Sequence, residues 1–211
     1  VPEPRALLLD GPAGRLEAVE RALPSPRAVA VLAHPHPLYG GSLHNPVIFH
    51  ADRELHRAGF GTVRFNFRGV GRSEGFHDDG RGEPADVGAV VSWLRDKAPG
   101  VPLFVVGYSF GSRAGLMWSL ADAGVAAMIA IGLPTRIWRF DEVPSFGRPL
   151  AVIQGSRDEF GPLDEVERVL ATADPPGSLL VVEGAPHLFP GRAAEAGARV
   201  VEAAEGILRS L

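Results

Sequence analysis

Short stretches of this chain carry no polar side chain, among them Ala28–Ala33 (AVAVLA), Leu103–Val106 (LFVV), Ala127–Ile131 (AMIAI), Leu150–Ile153 (LAVI) and Leu179–Val182 (LLVV). The longest, Ala28–Ala33, reads as a strand buried on both faces, because a strand with one wet face would alternate polar and apolar residues. The other four read as further strands. Between the strands the hydrophobic period changes. Asn45-Pro46 opens a helix running to about Ala58, with Pro46 suited to its first turn and Gly59 to its end. Glu83-Pro84 opens a second helix, in which Val87, Val90, Val91 and Leu94 fall on one stripe. Ser112–Leu120, Leu163–Ala171 and Ala193–Leu208 also read as helices, and Thr62–Phe67 as one more strand. Ala6–Leu9 and Arg15–Val19, on either side of Asp10–Gly14, read as a starting hairpin. Strand–helix alternation of this kind predicts an α/β fold: a mostly parallel central sheet, an antiparallel N-terminal hairpin and helices on both faces. No internal repeat or long linker interrupts it, so one domain over residues 1–211 is expected.

Composition narrows the chemistry. With 21 basic and 25 acidic residues interspersed and a net charge of −4, there is no basic run to track a phosphate backbone, so no nucleic-acid partner is expected. The absence of Cys removes disulfides, thiolate zinc sites and a cysteine nucleophile. Charged residues through the first 24 positions leave no signal-peptide core, and no window of 18 apolar residues offers a membrane span. A soluble cytoplasmic protein is the expectation.

Ligands of open parallel sheets sit beyond the carboxyl ends of the strands, so the residues that follow each strand matter most. Leu103–Val106 runs into Gly107-Tyr108-Ser109-Phe110-Gly111, a G-x-S-x-G sequence. In that spacing the Ser occupies a strained strand-to-helix turn, and the glycines leave room for the neighbouring backbone. Ser109 is the candidate nucleophile, and a hydroxyl needs a base to take its proton. His187, after the strand Leu179–Val182, is the sole His beyond residue 77. The imidazole in turn needs a carboxylate to fix its tautomer. Asp158, after Leu150–Ile153, is the first choice, with Glu159 its nearest rival and Asp164 and Glu183 behind it. The order Ser109, Asp158, His187 is the one expected for α/β-hydrolases.

The loop His34-Pro35-His36-Pro37-Leu38-Tyr39-Gly40-Gly41 follows the strand Ala28–Ala33. It is expected to supply one oxyanion-hole N–H, beside that of Phe110. Pro35 and Pro37 have no N–H, so His36, Leu38 or Tyr39 must donate, with His36 preferred because two prolines stiffen it. A metal held by His34 and His36, with His44, is the competing reading, but no accompanying ligand pattern supports it and no metal or cofactor is expected. Gly69–Gly75 is G-x-G-x-x-x-G, with Glu74 where a dinucleotide loop has its third glycine, so a nucleotide reading fails. Arg64 and Asn66, inside a strand expected to be buried on both faces, need partners that the sequence does not name.

Taken together, HPHPLYGG (34–41), RFNFRGVGRSEG (64–75), GYSFG (107–111) and GAPHLF (184–189) resemble a group of small bacterial α/β-hydrolases without a lid, often labelled with the dienelactone hydrolases. The resemblance spans essentially the whole chain. It implies an α/β-hydrolase fold with Ser109 as nucleophile, Asp158 as acid and His187 as base. Dienelactone hydrolases proper use Cys, which this chain lacks. Only a short stretch, Thr135–Arg148, stands where larger relatives insert a cap, so no cap domain is expected. Ile137, Trp138, Phe140 and Phe146 would give that stretch an apolar wall. The expected activity is hydrolysis of carboxylic esters with small or flexible acyl groups, the partner being a small-molecule ester. A thioesterase or acyltransferase is the alternative among enzymes, and a non-catalytic binding module the alternative outside them.

Overall fold

The computed structural model describes residues 3–211. The strands are β1 (Arg5–Gly11), β2 (Gly14–Arg21), β3 (Ala28–Ala33), β4 (Phe60–Phe65), β5 (Leu103–Tyr108), β6 (Ala127–Ile131), β7 (Leu150–Gly155) and β8 (Ser178–Val182). They form one sheet in the order β1-β2-β4-β3-β5-β6-β7-β8. The β1–β2 and β2–β4 pairs are antiparallel and every other pair is parallel. This is the mostly parallel α/β sheet with an antiparallel N-terminal hairpin expected from the alternating periods, and it agrees with the α/β-hydrolase fold without a cap domain that the resemblance implies.

Side chains along the central strands alternate between two apolar layers, as a period of two requires. Val29, Val31, Leu103, Val105 and Val152 enter one layer with α2 (Glu83–Lys97), α3 (Phe110–Ala121) and α4 (Leu163–Ala171). Ala30, Leu32, Phe104, Val106 and Ile153 enter the other with α1 (Pro46–Arg57) and α5 (Ala193–Leu208). The helices are thus split three against two. Among the described residues no helix is long and apolar enough to cross a membrane.

Helix α1 begins where the sequence signals it: the Asn45 side chain accepts from the N–H of Val47 at 3.0 Å, and Pro46 fills the first turn. Strand β4 is shifted two residues from its expected bounds. The chain enters it at Phe60, and it stops at Phe65 because the N–H of Phe67 donates to the imidazole of His34 at 3.1 Å, not to a neighbouring strand.

The two polar residues in this region find their partners across the fold. Arg64 Nε donates to Asp52 Oδ2 at 3.0 Å, and its Nη1 donates to the Leu43 carbonyl. Asp52, fully buried on α1, also accepts from Arg21 Nε at 2.7 Å and from the Thr62 hydroxyl. Asn66 accepts from Leu43 N–H at 2.7 Å and donates to Glu17 at 2.8 Å. These bonds fasten the middle of α1 and the loop before it to β2, β4 and the residue after β4. The stretch after β6 is a short connection with one 3-10 turn at Val143–Ser145. Phe140 and Phe146 are buried in the core, so the apolar wall expected of four residues is left to Ile137 and Trp138.

Candidate active site

Strand β5 passes into α3 through one residue, Ser109, with φ 53° and ψ −111°. A non-glycine residue in that region costs about 1–3 kcal/mol and persists only where its surroundings impose it. Here the Ser109 N–H donates to the Ile131 carbonyl of β6 at 2.8 Å, and the Ser112 hydroxyl donates to the Gly107 carbonyl at 2.8 Å. The two glycines of the motif are required by crowding. A Cβ on Gly107 would run into the Gly111 carbonyl, and one on Gly111 into the Ala33 carbonyl at the end of β3. The turn leaves the Ser109 hydroxyl at the N-terminus of α3, in the mouth of the sheet.

His187 comes to Ser109 from the loop after β8. Asp158 carries no proton to donate when ionised, so the His187 Nδ1–H donates to Asp158 Oδ2, at 2.8 Å. That leaves Nε2 as the acceptor of the Ser109 hydroxyl, also at 2.8 Å. All three side chains are buried. Of the four carboxylates considered from sequence, Asp158 is the one that meets the imidazole. Glu159 instead accepts the backbone N–H of His187 at 3.2 Å, Asp164 pairs with Arg168 at 2.8 Å, and Glu183 is exposed. This chain of bonds can draw the proton from the Ser109 hydroxyl and hold the imidazolium that results.

A second layer, not read from the sequence, holds this one in place. Asp158 Oδ1 accepts the N–H groups of Phe160 and Gly161 at 2.9 and 3.1 Å. The buried Gln154 of β7 donates to Asp158 Oδ2 at 2.8 Å and to the Gly161 carbonyl at 2.7 Å, while its own carbonyl accepts from Leu133 N–H at 2.8 Å. Tyr108 donates its hydroxyl to the His187 carbonyl at 2.9 Å. Burial, with Asp158 and Glu159 nearby, pushes the Tyr108 phenol well above its ordinary range, so it stays a donor. The sequence signal for Gln154 was a lone amide ending an apolar strand just before a glycine.

Two backbone amides, those of Phe110 and His36, have no acceptor among the described residues. The N–H of Phe110 lies in the first turn of α3, where no helical carbonyl can reach it. In the 34–41 loop, Leu38 N–H donates to His36 Nδ1 at 3.2 Å and Tyr39 N–H to the His36 carbonyl at 3.1 Å. With Pro35 and Pro37 lacking the group, His36 N–H is the free donor of 35–39 among the described residues. The His36 ring packs on Phe110 with centroids 5.0 Å apart, which brings the two segments together. Burial, with His77 alongside, lowers the His36 pKa.

His34 is occupied at both ring nitrogens. Nε2 accepts from Phe67 N–H, so Nδ1 bears the proton and donates to the Pro35 carbonyl at 2.6 Å. Burial lowers its pKa to about 4, which keeps it neutral. A ring so engaged has no lone pair for a metal, and His44 is exposed on a separate turn. Among the described residues no group of three or more His, Asp or Glu side chains is placed to hold a metal ion.

Comparison with known proteins points to the same architecture. The family described as Alpha/beta hydrolase domain matches residues 26–204. A serine hydrolase without a lid from Xanthomonas campestris is 33% identical and superposes with a TM-score of 0.87, covering 98% of this chain and 96% of its own. An alpha-beta serine hydrolase homologue from Coxiella burnetii is 31% identical, with a TM-score of 0.84 over 96% of this chain and 98% of its own. An uncharacterized protein of Rickettsia prowazekii (strain Madrid E) is 31% identical over 198 residues, 87% of this chain and 81% of that protein.

Proposed function

The chain belongs to the α/β-hydrolase domain family, and from that premise we propose that it is a serine hydrolase of carboxylic esters. The observation that carries the reading is the unbroken line of 2.8 Å bonds from Ser109 through His187 to Asp158.

Ser109 Oγ attacks the ester carbonyl carbon as His187 Nε2 takes its proton, and the carbonyl π pair moves onto oxygen. The N–H groups of Phe110 and His36 receive that oxyanion, each typically worth about 10²–10³ in rate. Collapse reforms the carbonyl and expels the alkoxide, which takes the proton from His187 and leaves as an alcohol. Water then attacks the acyl-serine by the same route, giving up its proton to His187, and the second collapse returns it to Ser109 and frees the acid. Asp158 holds the imidazole with Nε2 towards Ser109 and stabilises it while charged. An open mouth with no cap domain favours small or flexible acyl groups.

The direct test is labelling with a fluorophosphonate probe followed by peptide mapping, on the wild type and on Ser109→Ala. Labelling confined to Ser109, with turnover of short acyl esters lost in Ser109→Ala, is the expected result. Folded protein that takes no label favours the binding-module reading. Faster turnover of acyl thioesters than of the matching esters would move the assignment to a thioesterase.

A further inference from the structure

Seven large apolar side chains stand exposed among the described residues, and six of them lie on loops that follow the carboxyl ends of the parallel strands, the end of the sheet that carries Ser109. Leu38 and Tyr39 follow β3, Phe76 follows β4, Ile137 follows β6, Phe160 follows β7 and Leu188 follows β8; they are 38% to 88% exposed. The seventh, Leu211, is the last residue. Every parallel strand from β3 to β8 therefore sends an apolar side chain to the rim, except β5, which delivers Ser109. The ring is tied to the reacting groups: Phe160 packs on the His187 ring at 4.9 Å, and Tyr39 on the His36 ring at 4.8 Å.

Resting on the ester reading above, we propose that this rim seats the enzyme on an electrically neutral lipid–water interface, from which Ser109 takes apolar acyl esters. Scattered exposed apolar residues need no explanation, but a set gathered around one opening does. The cavities of about 680 and 440 Å³ do not offer an alternative home for an acyl chain. The first lies at the amino ends of β3 and β4, between Val29, Gly61 and Lys97, and the second lies between Trp138 and α4. Neither is lined by Ser109 or His187.

The occupant follows from where the patch lies. A protein seated on a ring concentric with Ser109 would shut the site, whereas an interface that carries its own esters delivers them to it. One extended chain touches a few of these loops, while a lipid surface meets all five. Charge decides the kind of interface. Arg81 pairs with Asp78 at 2.8 Å, Arg136 with Glu165 at 3.1 Å and Arg139 with Asp141 at 2.6 Å, so three of the rim cations are matched locally, which leaves exposed Arg72 and Arg157 beside exposed Glu159 rather than a dense basic field. With a net charge of −4, the chain gains nothing from an anionic surface.

The test uses the full chain. Ser109→Ala is mixed with phosphatidylcholine vesicles and floated at low and high salt, with and without Phe76→Ser and Ile137→Ser. Partitioning is expected, unchanged by salt and weakened about tenfold for each side chain removed. In parallel, wild type and the Phe76→Ser/Ile137→Ser variant hydrolyse tributyrin below and above its solubility limit, and p-nitrophenyl acetate in solution. The wild-type rate should climb as the emulsion forms and the variant's should lag it by about a hundredfold, against a far smaller difference on the soluble ester. Ser109→Ala that stays off the vesicles, or a variant as fast as wild type on the emulsion, overturns the proposal. So does a dimer of this chain that buries the rim and dissociates with Phe76→Ser. Vesicle binding by a wild type that cleaves neither ester would refute the ester reading and leave the interface standing.

Discussion

Gln154 donates from Nε2 to Asp158 Oδ2 at 2.8 Å, the same oxygen that receives the His187 Nδ1–H at 2.8 Å. The carboxylate thus takes four donors: Gln154, His187 and the amides of Phe160 and Gly161. A carboxylate held this way cannot swing from the imidazole, and its charge is compensated where no water reaches it. Under the role proposed for Asp158, Gln154 would act through it as a positioning residue, reached from the end of β7.

Gln154→Leu keeps the volume but removes the donor to Asp158 and the acceptor for Leu133. A hydrogen bond to a charged group is worth about 1.5–3 kcal/mol, so kcat on a soluble ester should fall about 10- to 100-fold while KM stays within about twofold. Steady-state kinetics on folded variant decides it. An unchanged kcat would mean that the Phe160 and Gly161 amides hold Asp158 unaided.

The role proposed for the His36 amide can be separated from that of its ring. His36 has φ −52°, within reach of proline, so His36→Pro deletes the N–H with little change of backbone. It should lower kcat about 10²–10³-fold. His36→Ala, which loses the ring but keeps the amide, should retain most of the activity. Equal losses in the two variants would assign the effect to the ring.

Asp52 neutralises two arginines in the interior, and its loss would strand Arg64. Asp52→Ala is expected to destabilise the fold by about 3–5 kcal/mol, the cost of breaking a buried pair from one side. The urea midpoint reports it. Turnover per folded molecule should not change, since the network lies beneath α1, away from Ser109.

Neutral His34 makes stability depend on pH. Its pKa is about 4 in the fold against 6.5 for the free side chain, so between those values the unfolded chain binds the extra proton. Stability from this group is therefore complete above pH 6.5 and is lost as pH falls towards 4, on the order of 3 kcal/mol for a shift of 2.5 (6.5 − 4). Urea titrations from pH 7 to pH 4.5 should show the slope in wild type and a flatter one in His34→Gln. Parallel slopes would remove His34 from the account.

The features that the sequence alone determines are those that neighbouring residues decide among themselves. Unbroken apolar runs, a 3.6-residue stripe and Asn45-Pro46 are local signals. So is Gly107-Tyr108-Ser109-Phe110-Gly111, where the glycines are needed because the turn packs against its own helix and the adjoining strand. The order of strands and helices, and the place of Ser109 between β5 and α3, were determined at that level. The bounds of β4 were not, because its last residues answer to His34, more than thirty positions away.

Only the tertiary structure chose among partners. Asp158 and Glu159 are adjacent in sequence and alike in chemistry, yet one meets the His187 ring and the other its backbone. The free amide among His36, Leu38 and Tyr39 emerged once the 3-10 turn had claimed two of them. Arg64 and Asn66 had no visible partners until Asp52, Leu43 and Glu17 were brought beside them. The apolar rim, drawn from five loops, exists only when the strands stand side by side. A side chain's type sets what it can bond, but the distance and direction to its partner are set by how segments far apart in the chain pack against one another.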